Sequence, residues 1–426
     1  MIYEYSFLEH NTAERLRYYK LIVDFYSSLI DDIKQKANTD FEGCEWISKN
    51  LYSGEKRPYD YLRDYVREPA IPSFYYRQRR LALHKLNELE DARADAQLEI
   101  ERLKRSAQTA ADYYNLGLSY LYIGEYQAAI DSFQQAIDRD NPGIPDDIAD
   151  ATDYFGQGLA YKELRSYAQA AQVLTRAIEI QSNADPIAAS QYYNMLATVY
   201  RLWGIEAGDP TKIQSAVVAD QMAIKLPTPN SAKASNWRGI GLSYLEWAKY
   251  DPRHYPDAIE ACKKAIALDD LDNSENWLCL GKVFSGWGVA SKDITKFQSA
   301  IDAYLQALKL SSPNSAAGVW FNMGIAYLEW SKLDSSRFPD AVDAYMKAIH
   351  LDNPEMTENN QDPRDIADWY MIAIIYWEWA KVDQSKHVLV LESLEKALAI
   401  PIDPNDGDYH WHEKAWKLRD ELRGSK

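Results

Sequence analysis

Cysteine is scarce: only Cys44, Cys262 and Cys279 occur in 426 residues. Three thiols, odd in number and far apart, predict neither a disulfide framework nor a zinc site, so buried thiols in a reducing compartment are expected. Seven histidines are scattered, and only His410 and His412 lie close. Two residues apart on a helix they face different ways, so no metal pair is expected. No run approaches the roughly 18 consecutive apolar residues of a membrane span. The opening residues lack a basic segment followed by an apolar run, so no signal peptide is predicted and a cytoplasmic location is expected. G-x-x-x-x-G-K-S/T, G-x-S-x-G and H-E-x-x-H are all missing. Neither an enzyme nor a bound cofactor or metal is expected.

Positive charge is also short. Lys and Arg number 47 against 64 Asp and Glu, a net charge of −17. Residues 1–110 hold 18 of the former and 19 of the latter, so the excess acid belongs to residues 111–426. Such a field repels nucleic acid and anionic membranes and favours a basic protein or peptide as partner.

Aromatics are plentiful, with 31 Tyr and 13 Trp, and they recur in register. Residues 236–268 read as two antiparallel helices. Trp237, Ile240, Gly241 and Tyr244 share one helical face, and Ala258, Cys262 and Ala265 share a second. Asp251, Pro252 and Pro256 break the chain between them. One hairpin cannot bury both faces alone, and six further copies supply neighbours. They start at Tyr113, Tyr154, Tyr193, Trp277, Trp320 and Trp369.

The spacing W-x2-I-G-x2-Y followed by A-x3-C-x2-A resembles the tetratricopeptide repeat, and Tyr113, Leu116, Gly117, Tyr120, Ala129, Phe133 and Ala136 match its pattern best. The resemblance implies an all-α, right-handed α-solenoid. The expected division is a helical N-terminal region at 1–108, seven hairpins at 109–400 and a capping helix at 401–426. In the N-terminal region helices are predicted at 11–36, 40–51 and 59–66, and a long one from Ser73 to about Arg105.

The later copies depart from the family pattern. From the helix A tyrosine to the first helix B position, the first two copies keep the family spacing and the other five stretch it. All five stretched copies add a tryptophan three residues after the aromatic: Trp203, Trp247, Trp287, Trp330 and Trp379. These predict a longer helix A with the indole packed under the turn. Tyr255, Phe297 and Phe338 are placed to staple the entry to helix B.

The resemblance assigns the concave face to the first helices. The expected binding residues are Tyr114, Asn115, Phe155, Asn194, Arg238, Phe321, Asn322 and Tyr370, with an acidic row at Glu163, Glu246, Glu329 and Glu378. The basic residues with which some members clamp a chaperone tail are replaced by Ala111, Thr152 and Gln191. The expected function is a non-catalytic scaffold or adaptor holding a partner segment on that face. The alternative is a sensor array controlling an effector or docking function of residues 1–108.

Overall fold

The computed structural model describes residues 20, 23, 27, 89–139, 148–181, 184–268, 274–352, 365–402 and 409–424. The predicted helices at 11–36, 40–51 and 59–66, and the start of the one from Ser73, lie outside these. Among the described residues the secondary structure is entirely helical. Contacts divide the chain into two units, 1–184 and 185–426.

The first unit contains α1 (Leu89–Ser106), α2 (Ala110–Ile123), α3 (Tyr126–Ile137), α4 (Ile148–Glu163) and α5 (Tyr167–Gln181). Ala92, Ala96, Ile100 and Leu103 of α1 are buried, the last two against Leu116 of α2, as their spacing predicts. Glu99 is buried with them and accepts a hydrogen bond from Ser119 Oγ at 2.6 Å. A reciprocal capping box starts α2. Thr109 Oγ1 accepts from the Asp112 N–H, and the Asp112 carboxylate accepts from the Thr109 N–H. Gly124, at φ 86°, ends it.

The second unit pairs α6 (Pro186–Ala207) with α7 (Pro210–Lys225), α8 (Asn230–Ala248) with α9 (Tyr255–Leu268), and α10 (Ser274–Ser291) with α11 (Ile294–Leu310). It goes on to pair α12 (Pro313–Ser331) with α13 (Phe338–Asp352) and α14 (Asp365–Ala380) with α15 (His387–Ala399). The last helix, α16 (Tyr409–Gly424), packs on α14 and α15. Within this unit each second helix also touches the first helix that follows it, the arrangement of an α-solenoid.

The motif residues form the seams. The helix B alanines, from Ala129 and Ala136 to Ala341 and Ala348, are buried. Glycines in the first helices admit a bulky partner. A Cβ on Gly117 would lie 2.8 Å from the Phe133 ring, and one on Gly324 would lie 2.6 Å from Tyr345. Cys262 of α9 and Cys279 of α10 are joined as a disulfide, their Cα atoms 6.2 Å apart, rather than standing as separate thiols. Their separation of 17 positions concealed this, because helix packing makes the contact.

The expected lengthening of the first helix holds in two stretched copies and not in three. α6 and α10 run two turns past Tyr200 and Phe284 before Gly208 and Lys292 close them with positive φ. α8, α12 and α14 run only one turn past their tyrosines. Their inserted residues instead form short 3-10 turns, Pro252–His254, Ser335–Arg337 and Gln384–Lys386, ahead of helix B.

At the C-terminal end, Trp411, Ala415, Leu418 and Leu422 of α16 cover the last hairpin, whereas Trp416 is exposed. Residues 411, 415, 418 and 422 follow helical spacing, and 416 falls off that face.

Candidate helix A binding face

The five added tryptophans belong to the packing. Tyr200, Tyr244, Tyr327 and Tyr376 stack on Trp203, Trp247, Trp330 and Trp379 of the same helix with interplanar angles of 7° to 12°. The helix B entry aromatics reach the next hairpin. Tyr255 stacks on Trp287, Phe297 on Trp330 and Phe338 on Trp379. They therefore tie one hairpin to the next rather than stapling only their own turn.

Each of these indoles also carries a cation or histidine. Lys212, Lys296, Arg337 and Lys386 sit over Trp203, Trp287, Trp330 and Trp379 at 4.1–4.6 Å, and His254 stacks on Trp247 at 4.1 Å. Three residues before each stands an aspartate: Asp209, Asp293, Asp334, Asp383 and Asp251. Each aspartate accepts from the backbone N–H two residues on. Sequence reading missed this Asp-x-x-cation pattern because its distance from the tryptophan alternates between the two turn types.

The nominated residues divide by unit. In the first, Tyr114, Asn115 and Phe155 are half-buried, and Tyr114 tilts on Phe133 with ring centres 5.9 Å apart. Glu163 is exposed and pairs with Lys162 at 2.7 Å. In the second unit, α6, α8, α10 and α12 touch in succession, so their outward side chains share a surface.

Several of those side chains are already engaged. Asn194 Nδ2 donates to Asn236 Oδ1 at 3.2 Å and lies 3.5 Å from Asp220 Oδ1. Asn236 Nδ2 in turn donates to Ser190 Oγ at 3.0 Å. Asn322 donates to the Gly318 carbonyl within α12. Phe321 meets the edge of Tyr345, and Tyr370 lies against Trp411 of α16.

The acidic row is compensated. Lys249, Lys332 and Lys381, three residues after Glu246, Glu329 and Glu378, approach them at 2.5, 2.6 and 2.5 Å.

Around Arg238, at α6, α8 and α10, lie charged residues that the sequence did not single out. Arg201, next to Tyr200, is half-buried beside Asp220. Burial lowers the Arg201 pKa, with Asp220 and Glu246 opposing and Arg238 adding to the fall. Burial pushes the Asp220 carboxyl well above its usual range, against the pull of Arg201 and the Asn194 bond. Burial also lowers the Lys282 ammonium, Glu275 opposing and Arg201 contributing. Arg238 bridges α8 to α10 through Glu275 at 2.7 Å. Among the described residues, no His/Cys/Asp/Glu group could hold a metal, and no helix is long and apolar enough to cross a membrane.

Residues 110–141 and 154–183 match models of the tetratricopeptide repeat family. No curated protein matches the chain. Among solved structures, the chain is similar to the C-terminal part of a TPR repeat-containing protein from Cytophaga hutchinsonii. The two are 13% identical with a TM-score of 0.40, over 66% of this chain and 97% of that one. PilF of Pseudomonas aeruginosa is 16% identical with a TM-score of 0.37, over 62% and 97%. YrrB, described as a TPR protein with an unusual peptide-binding site, is 17% identical with a TM-score of 0.31, over 51% and 93%.

Proposed function

We propose that this chain, in which residues 110–141 and 154–183 match the tetratricopeptide repeat, is a protein-interaction scaffold whose second unit holds a partner segment on the joined faces of α6, α8, α10 and α12. The observation that carries the reading is that these first helices touch one another while each keeps half-exposed polar and aromatic side chains. The core is completed without Arg238, Asn322 and Glu329, whose partners are the exposed Glu275, the Gly318 carbonyl and Lys332, and a ligand would meet them by displacing those partners. The role is that of a non-catalytic adaptor working within the cytoplasm. A basic partner was expected from the net charge and the glutamate row. Lysine pairing of Glu246, Glu329 and Glu378 removes the row's support, leaving only the long-range field.

The test is affinity capture with the intact chain, comparing wild type with the combined Arg238→Glu and Glu329→Lys variant, both checked for fold by circular dichroism. These charge reversals sit on the helix A surface and should deplete the captured partners. Undiminished capture by the folded variant would remove this face from the account.

A further inference from the structure

Three cations converge on the first helices of successive hairpins. Arg201 follows the tyrosine of α6, Arg238 the tryptophan of α8, and Lys282 the glycine of α10. In a chain of net charge −17, burial and the neighbouring cations disfavour the charged forms of Arg201 and Lys282. Among the described residues, neither has a carboxylate within ion-pair distance. The nearby acids are otherwise occupied. Glu246 is held by Lys249 and Glu275 by Arg238, while Asp220 is buried and bonded to Asn194. Positive charge concentrated in this way and left unneutralised costs stability unless an anion arrives to share it.

We propose that Arg201, Arg238 and Lys282 anchor a side-chain carboxylate of the bound segment, so that the partner is acidic where it crosses α6, α8 and α10. This rests on the helix A face being the partner surface. The two arginines offer planar donor pairs matched to a carboxylate, and Lys282 adds a point charge. Arg238 is half-exposed and its Glu275 partner is exposed, so an incoming carboxylate can compete for it. Arg201 and Lys282 gain the counter-charge they lack.

The experiment is fluorescence anisotropy with the intact chain and short labelled peptides, acetylated and amidated so that only side chains carry charge. A glutamate-rich peptide is compared with its lysine-rich, serine-rich and phosphoserine counterparts and with a single-stranded oligonucleotide. The glutamate peptide should bind, and more weakly as salt rises. Lys282→Gln and Arg238→Gln should each weaken it by about tenfold. Lys282→Gln should melt no lower than wild type, since it removes a like-charge neighbour of Arg201; a merely structural lysine would behave the opposite way. Lys347→Gln, on α13 over Trp320, should leave binding unchanged.

Binding of the lysine or serine peptide alone overturns the anchor and leaves the scaffold reading standing. Survival of glutamate-peptide binding in both variants overturns it as well. Preference for the phosphoserine peptide or the oligonucleotide, with the glutamate peptide silent, reassigns the cations and overturns it too. If no peptide of any charge binds, the anchor and the scaffold reading fall together.

Discussion

Gly324 is set by the ring across from it. Its absent Cβ is the space that the buried Tyr345 ring occupies. Gly324→Ala must shift that ring or part α12 from α13, and overpacking of this kind costs about 1–3 kcal/mol. A thermal melt of the variant should show that loss, and an unchanged midpoint would mean the helices yield freely. Asp220 gives a second test at this scale. Its folded pKa is raised by burial, so its stabilising form is the neutral one. That contribution is complete below the unfolded value near 3.8 and is lost as pH rises through the folded value. Asp220→Asn, which keeps an acceptor for Asn194, should therefore melt progressively higher than wild type as pH is raised from about 4 towards neutrality. Melts across that range check the sign.

At the scale of the element, the long-turn hairpin is a composite of indole, aspartate cap and cation. Trp330 shows the composite in full: Tyr327 and Phe297 stack on it, and Arg337 covers it. Trp330→Ala should cost about 3–5 kcal/mol, whereas losing a single cation, as in Lys386→Ala, should cost about 0.5–1 kcal/mol. Denaturant melts that rank them otherwise would contradict the stacking account. The caps add a pH dependence of known sign. The Arg253 bond holds Asp251 down to about 2, and hydrogen bonds from Thr211, Thr295, Ser336 and Ser385 lower Asp209, Asp293, Asp334 and Asp383. Lowered carboxylates stabilise above the unfolded pKa and cease to do so as pH falls through the folded one. Replacing all five by asparagine should flatten the fall of melting temperature below about pH 4. Part of this element was readable in advance, because Trp203, Trp247, Trp287, Trp330 and Trp379 stand out by composition and occur only with the inserted residues. The reach of Phe297 to Trp330 was not readable, since periodicity reports which face a residue occupies and not which neighbour covers it. Asn194 and Asn236 were hidden for the same reason: their bond joins positions 42 residues apart.

For the molecule as a whole, a stack of hairpins draws its stability from nearest neighbours, so its last member depends on whatever closes the end. In the second unit α16 does this. Trp411 lies against Tyr370, Ala415 is fully buried, and Leu418 and Leu422 pack on the same cluster. The all-helical, pairwise packing was legible because alanine, glycine and aromatic positions repeat at helical spacing. Of the cation cluster only Arg238 was legible, because Arg201, Arg238 and Lys282 occupy different positions of their repeats and meet only when three helices are laid side by side. The nearest-neighbour character gives the cap a local role that can be measured. Ending the chain after Ile402 should uncover the α14–α15 surface, speed amide exchange there and promote self-association visible by light scattering. Protection in α8 and α9 should persist, because no residue of α16 helps to bury Ile240 or Cys262. Equal loss of protection along the unit would show that it unfolds as one block, and the additive account of the stack would then have to be abandoned.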